Sequence, residues 1–152
     1  MRTSARELPG ANVDQKRYRI LNRSSDLVVK VFGKTQEELF ANSAFALFDL
    51  MADVEKVEVH DHLPLEVEGV DRDDLIANWM RELLYLYQVS GYLLKEFHIR
   101  ETRENYVLGE VRGEKFDPDR HEIRQEIRSV ISHQCRMEKT GDQWTAQATF
   151  EV

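Results

Sequence analysis

The chain is 152 residues long, 41% hydrophobic and 32% charged, with a formal net charge of −7. This size holds one ordinary core, and the balance of residue types excludes a disordered chain. No apolar run is long enough for a membrane span, and Lys and Arg scattered among more numerous acids argue against direct nucleic-acid binding.

Residues 1–15 lack hydrophobic periodicity and contain Ser, Pro, Gly and Asn, which reads as a mobile tail before a domain over 16–152. The start has no apolar core of a secretory signal, and the lone Cys135 fits a reducing cytoplasm. Short strands are expected over 18–21 and 26–32, the second ended by Gly33. Thr35 and Glu38 form a capping box, opening a helix whose apolar residues run from Leu39 to Met51 and which ends near Asp53. Alternation over 57–68 indicates another strand. Asp71 and Asp74 then cap a second helix, with Val70 and Leu75 in the two staple positions and Gly91 as its left-handed stop.

Strand signals dominate the remainder. Segments 94–101 and 106–111 form a hairpin, 127–137 reads as one long alternating strand, and 144–152 returns antiparallel after the turn at Gly141. No internal repeat is evident. The fold class is α+β: two helices packed against a mainly antiparallel sheet.

The candidate chemistry is sparse. Asp26 opens a strand and Glu151 lies next to Val152. If the last strand pairs beside Asp26, the two carboxylates and the carboxylate of Val152 would offer an oxygen-rich shell of the kind Ca²⁺ takes. His60 and His62 flank Asp61 on a strand and could form a transition-metal pair, but no third ligand has a diagnostic spacing, so a solvated turn is the better reading. His133 and Cys135 would share a face of the long strand, where a half-buried histidine beside a buried thiol is the plainer account. Asp117-Pro118-Asp119-Arg120 is a turn signature, and with His121 and Glu122 it is a candidate partner-docking loop.

Phe32-Gly33-Lys34-Thr35, Leu47-Phe48-Asp49-Leu50-Met51 with Asp53, and Asp73-Asp74-Leu75-Ile76-Ala77-Asn78-Trp79 running to Leu86 follow one another along the chain. Gly113-Glu114, Phe116-Asp117-Pro118 and Arg120-His121-Glu122 complete the set. In this order the segments resemble the archease family across about residues 17–152. The resemblance implies a compact α+β fold with a small helix-containing insertion. It also implies an accessory role to the RtcB-type RNA ligase of tRNA splicing or RNA repair: faster guanylate loading onto the ligase histidine and repeated turnover, with no bond change by the accessory protein itself.

The family's N-terminal Asp-His-Thr-Ala-Asp motif is here Asn22-Arg23-Ser24-Ser25-Asp26, so only its second acid is kept. Its Lys after the His-Glu loop is Arg128, and its near-terminal Asp is Glu151. The resemblance therefore implies ligase activation through Asp26, Arg128 and Glu151, with Asp26, Glu151 and Val152 as metal ligands. Arg23 in place of His is expected to pair with Asp26 or Glu151 and to weaken Ca²⁺ binding. The alternative is an archease-fold protein-binding or chaperone-like module that has lost ligase activation, and the altered 22–25 stretch favours it.

Overall fold

The computed structural model describes residues 17–152, so the proposed tail at 1–15 lies outside the described residues. The order is β1 (Tyr18–Asn22), β2 (Asp26–Gly33), α1 (Gln36–Met51), a 3₁₀ turn (Val54–Lys56), β3 (Asp61–Glu68), α2 (Arg72–Gln88), β4 (Tyr92–Arg103) and β5 (Tyr106–Lys115). β6 (Ser129–Val130), a second 3₁₀ turn (Ser132–Gln134), β7 (Arg136–Thr140) and β8 (Gln143–Glu151) follow. The class is α+β, as expected, but the strands divide into two antiparallel sheets. One runs β1-β2-β8 with β6 and β7 both on β8, and the other runs β3-β5-β4.

α1 carries buried residues around most of its circumference because it packs on β2 of one sheet and β4 of the other. Tyr18 meets Phe45 edge-on from the first sheet, and Phe97 stacks on Phe48 from the second. The two helices are joined by Trp79, whose ring meets Phe40 edge-on at 5.8 Å while its indole N–H donates to the Phe40 carbonyl at 3.0 Å. The indole thus buries its area and satisfies its one polar atom at the same contact.

Both helix starts follow the sequence. Thr35 Oγ1 accepts from the Glu38 amide and Asp71 Oδ1 from the Asp74 amide, at 3.0 and 2.9 Å. The staple at the second start is not made: Val70 is 86% exposed. Gly91 has φ of 77°, the left-handed stop expected after α2.

The absence of a repeat is also corrected. Gly33-Lys34-Thr35-Gln36-Glu37-Glu38-Leu39-Phe40-Ala41-Asn42 superposes in role on Gly69-Val70-Asp71-Arg72-Asp73-Asp74-Leu75-Ile76-Ala77-Asn78. Asn42 and Asn78 each reach back to the strand carbonyl ten residues earlier, Phe32 O and Glu68 O. The amides of Lys34 and Val70 each donate to the acid four residues on. A Cβ on either glycine would lie 2.6 Å from the amide nitrogen of Leu39 or Leu75, so both strand ends press on the following helix. The topology repeats too: β2-β8-β7 around α1 matches β3-β5-β4 around α2. One strand–helix–strand–strand unit is thus inserted within another, which is the helix-containing insertion the resemblance implied.

The expected long strand at 127–137 is broken. Ile127 and Val130 are both buried although three residues apart, which two-residue alternation forbids, and the 3₁₀ turn at Ser132–Gln134 separates β6 from β7.

Candidate functional site

β2 and β8 pair in continuous register from Gly33–Trp144 to Asp26–Glu151. Leu27, Val29 and Val31 point into the core, so Asp26, Val28, Lys30 and Phe32 lie on the opposite, outer face. Asp26 and Glu151 therefore stand side by side where the two strands end.

Several contacts fix this end of the sheet. Ser129 pairs with Glu151 from the other side, and its hydroxyl donates to Glu151 Oε1 at 2.9 Å. The Arg128 amide donates to the Glu151 carbonyl at 2.7 Å. Gln88, at the end of α2, donates to the carbonyls of Arg128 and Ile127 at 2.9 and 3.2 Å. The fold thus brings Asp26, Arg128 and Glu151 to one junction, with Val152 adjacent and packed on the core. Ser129 and Gln88 are additions: nothing in their sequence context marks them, because their partners are distant in the chain.

Arg23 is exposed, and among the described residues it makes no ion pair with Asp26 or Glu151, so the expected pairing is corrected. Two opposed carboxylates with no cationic side chain bonded to them have the donor chemistry a hard cation takes, and the Ser129 hydroxyl adds a second oxygen type. The residues present fit such an ion.

The docking loop after β5 is built around Glu114, which is buried. Glu114 Oε2 accepts from the Glu58 amide at 2.6 Å and pairs with His121 Nε2 at 3.0 Å, while Oε1 accepts from the Arg120 guanidinium. The Asp117 amide donates to His121 Nδ1 at 2.9 Å, which places the imidazole proton on Nε2, facing Glu114. Burial pushes the Glu114 carboxyl up, but the bonds from Arg120, the Glu58 amide and His121, with the charge of Arg120, more than offset it and hold it at about 2.

His121 is therefore not a docking residue: its side chain is 1% exposed and faces inward. Asp117 is half-buried and accepts from the Asp119 amide in a turn, leaving Arg120 and Glu122 exposed. The loop is tied down a second time where the Arg124 amide donates to Met51 O at 2.7 Å and Ile123 bridges to Ala52. Between the two ties, a cleft of about 210 Å³ is lined by Lys56, Arg120, Glu122 and Arg124 among others.

The remaining candidates do not assemble. His60 pairs with Glu58 at 2.8 Å and His62 lies 3.6 Å from Glu110, so the two rings serve different carboxylates. Glu58, His60 and Glu114 do offer ligand atoms within 4.8 Å of one another, but the Arg120 guanidinium already supplies the positive charge there. His133 is exposed in the 3₁₀ turn, whereas Cys135 is 1% exposed and burial pushes its thiol up, so they share no strand face.

The model of the Archease protein family (MTH1598/TM1083) matches residues 18–152. The chain belongs to the archease family. It is 34% identical to the archease of Pyrococcus furiosus over 133 residues, covering 85% of this chain and 94% of that protein. It is 32% identical to the archease of Methanopyrus kandleri, with coverage of 87% and 96%. The solution structure of Methanobacterium thermoautotrophicum protein 1598 matches with a TM-score of 0.78 at 26% identity, over 90% of this chain and 99% of that one. A crystal structure of a Thermotoga maritima archease, described as a possible chaperone, shares the fold with a TM-score of 0.59 at 13% identity, over 88% and 96%.

Proposed function

We propose that this archease activates an RtcB-type RNA ligase in the cytoplasm, promoting guanylate transfer to the ligase histidine and repeated turnover in tRNA splicing or RNA repair. The observation that carries this reading is the junction of Asp26, Glu151 and Arg128, where two acids and a cation derive from three separate segments. The protein makes and breaks no bond itself. Asp26 and Glu151 would hold a divalent cation such as Ca²⁺, which would neutralise their repulsion and fix the surface offered to the ligase. Arg128 would supply a cation whose backbone is already held by Glu151 and Gln88. The exposed Arg120 and Glu122 would extend the contact.

The test is guanylate transfer from labelled GTP to the cognate ligase, with and without this protein. Stimulation that is lost in Asp26→Ala supports the reading; no stimulation of an active ligase refutes it. The second reading, a protein-binding or chaperone-like module, is favoured by Asn22-Arg23-Ser24-Ser25 and would be left standing by that result.

A further inference from the structure

Four residues widely separated in sequence form one row across the outer face of the five-stranded sheet. Arg19 on β1 is opposite Lys30 on β2, Lys30 is opposite Gln147 on β8, and Gln147 is opposite Arg136 on β7. Cations that look scattered along the chain are thus gathered by the fold. The row lines a concavity of about 470 Å³, whose wall also carries Asp73 and Glu138.

Two observations set this row apart. Among the described residues, none of Arg19, Lys30 and Arg136 has a carboxylate partner, although acids outnumber cations by 28 to 21. Placing Arg19 directly opposite Lys30 costs stability unless an anion lies between or above them. The inserted copy of the same unit does the opposite. On its outer face, Arg100 and Arg112 pair with Glu110, Arg112 also approaches Glu96, and Arg103 pairs with Glu101. The same architecture pairs its cations with acids in one sheet and leaves the cations of this row without carboxylate partners in the other.

Beside the row, Phe32 lies on the same face, with the Arg19 guanidinium and the Lys30 ammonium each 5.8 Å from its ring centroid. A basic track next to an aromatic ring is what single-stranded nucleic acid uses, phosphates on the cations and a base on the ring. An acidic peptide would take the charges and leave the ring without a role.

We infer that the outer face of the five-stranded sheet binds single-stranded RNA through Arg19, Lys30, Arg136 and Phe32. Asp26 and Glu151 lie on the same face, four residues along β2 from Lys30, so a bound strand would run past the junction assigned to ligase activation. RNA binding is read without the ligase, so this inference and the proposed activation can fail separately.

The experiment is fluorescence anisotropy of a short labelled oligouridylate with the full chain over a range of salt concentrations. Three phosphate contacts predict a log–log salt slope of about −2. Arg19→Gln/Lys30→Gln should weaken binding about tenfold and flatten the slope by about 1.4, with an unchanged circular dichroism spectrum and a thermal midpoint no lower than that of the wild type. Phe32→Leu should weaken binding without changing the slope. Failure to bind at low salt, equal binding by the double variant, or equal competition by oligoglutamate would overturn the inference. Unchanged affinity in Phe32→Leu would also overturn it, reducing the face to a general anion surface.

Discussion

Asp26 and Glu151 are direct cross-strand partners, two like charges held side by side at the open end of the β2–β8 ladder. Such pairs are destabilising by a few tenths of a kcal/mol to about 1 kcal/mol. Asp26→Asn should therefore raise stability by about 0.5 kcal/mol in urea unfolding at low ionic strength, while abolishing stimulation of the ligase. A variant that lost both would show Asp26 to be structural instead.

Arg128 separates backbone from side-chain roles. Its amide and carbonyl are bonded to Glu151 and Gln88, and neither bond needs the guanidinium. Arg128→Ala should leave the urea midpoint unchanged within about 0.5 kcal/mol, the range of ordinary surface substitutions. The guanylate-transfer assay should nevertheless lose most of its stimulation. Full stimulation by the variant would remove Arg128 from the activating set.

Glu114 is the anchor of the loop that delivers Arg128. Three donors converge on its carboxylate, and an amide in its place would turn an N–H toward one of them. Glu114→Gln should cost about 2 kcal/mol, the penalty for leaving a buried group mismatched. Chemical denaturation measures it directly, and a change below the resolution of that method would mean the loop is held elsewhere.

The same carboxyl predicts an acid dependence. Held at about 2 when folded, against 4.5 ordinarily, it makes the native state bind fewer protons than the unfolded chain. Its contribution is complete above about 4.5 and is lost as pH falls toward about 2. Wild-type stability should fall more steeply with acidification through that window than that of Glu114→Gln. Parallel curves from urea titrations at stepped pH would refute the assignment.

Much of the scaffold was legible because local chemistry decides it. Thr35 and Asp71 cap helices through bonds within one turn, and Gly91 stops α2 by its own backbone freedom. Asp26 and Glu151 were legible as acids at strand ends, while their side-by-side placement depended on β8 lying next to β2. Glu114 was not legible as a hub. It follows Gly113 on β5 and should face outward by alternation, yet it is buried because the loop from Phe116 to His121 folds back over it. The duplication was hidden because the second copy interrupts the first instead of following it.

That nesting has a consequence for the order of events during synthesis. The inserted unit is contiguous, β3 to β5, and all its strand partners have emerged once residue 115 is made. The outer unit must wait, because β2 has its central partner only in β8. Until then β2 can pair with β1 but leaves its other edge open. The acidic junction is the last part of the described fold to close, so presenting it requires that both the inserted and the outer unit have formed.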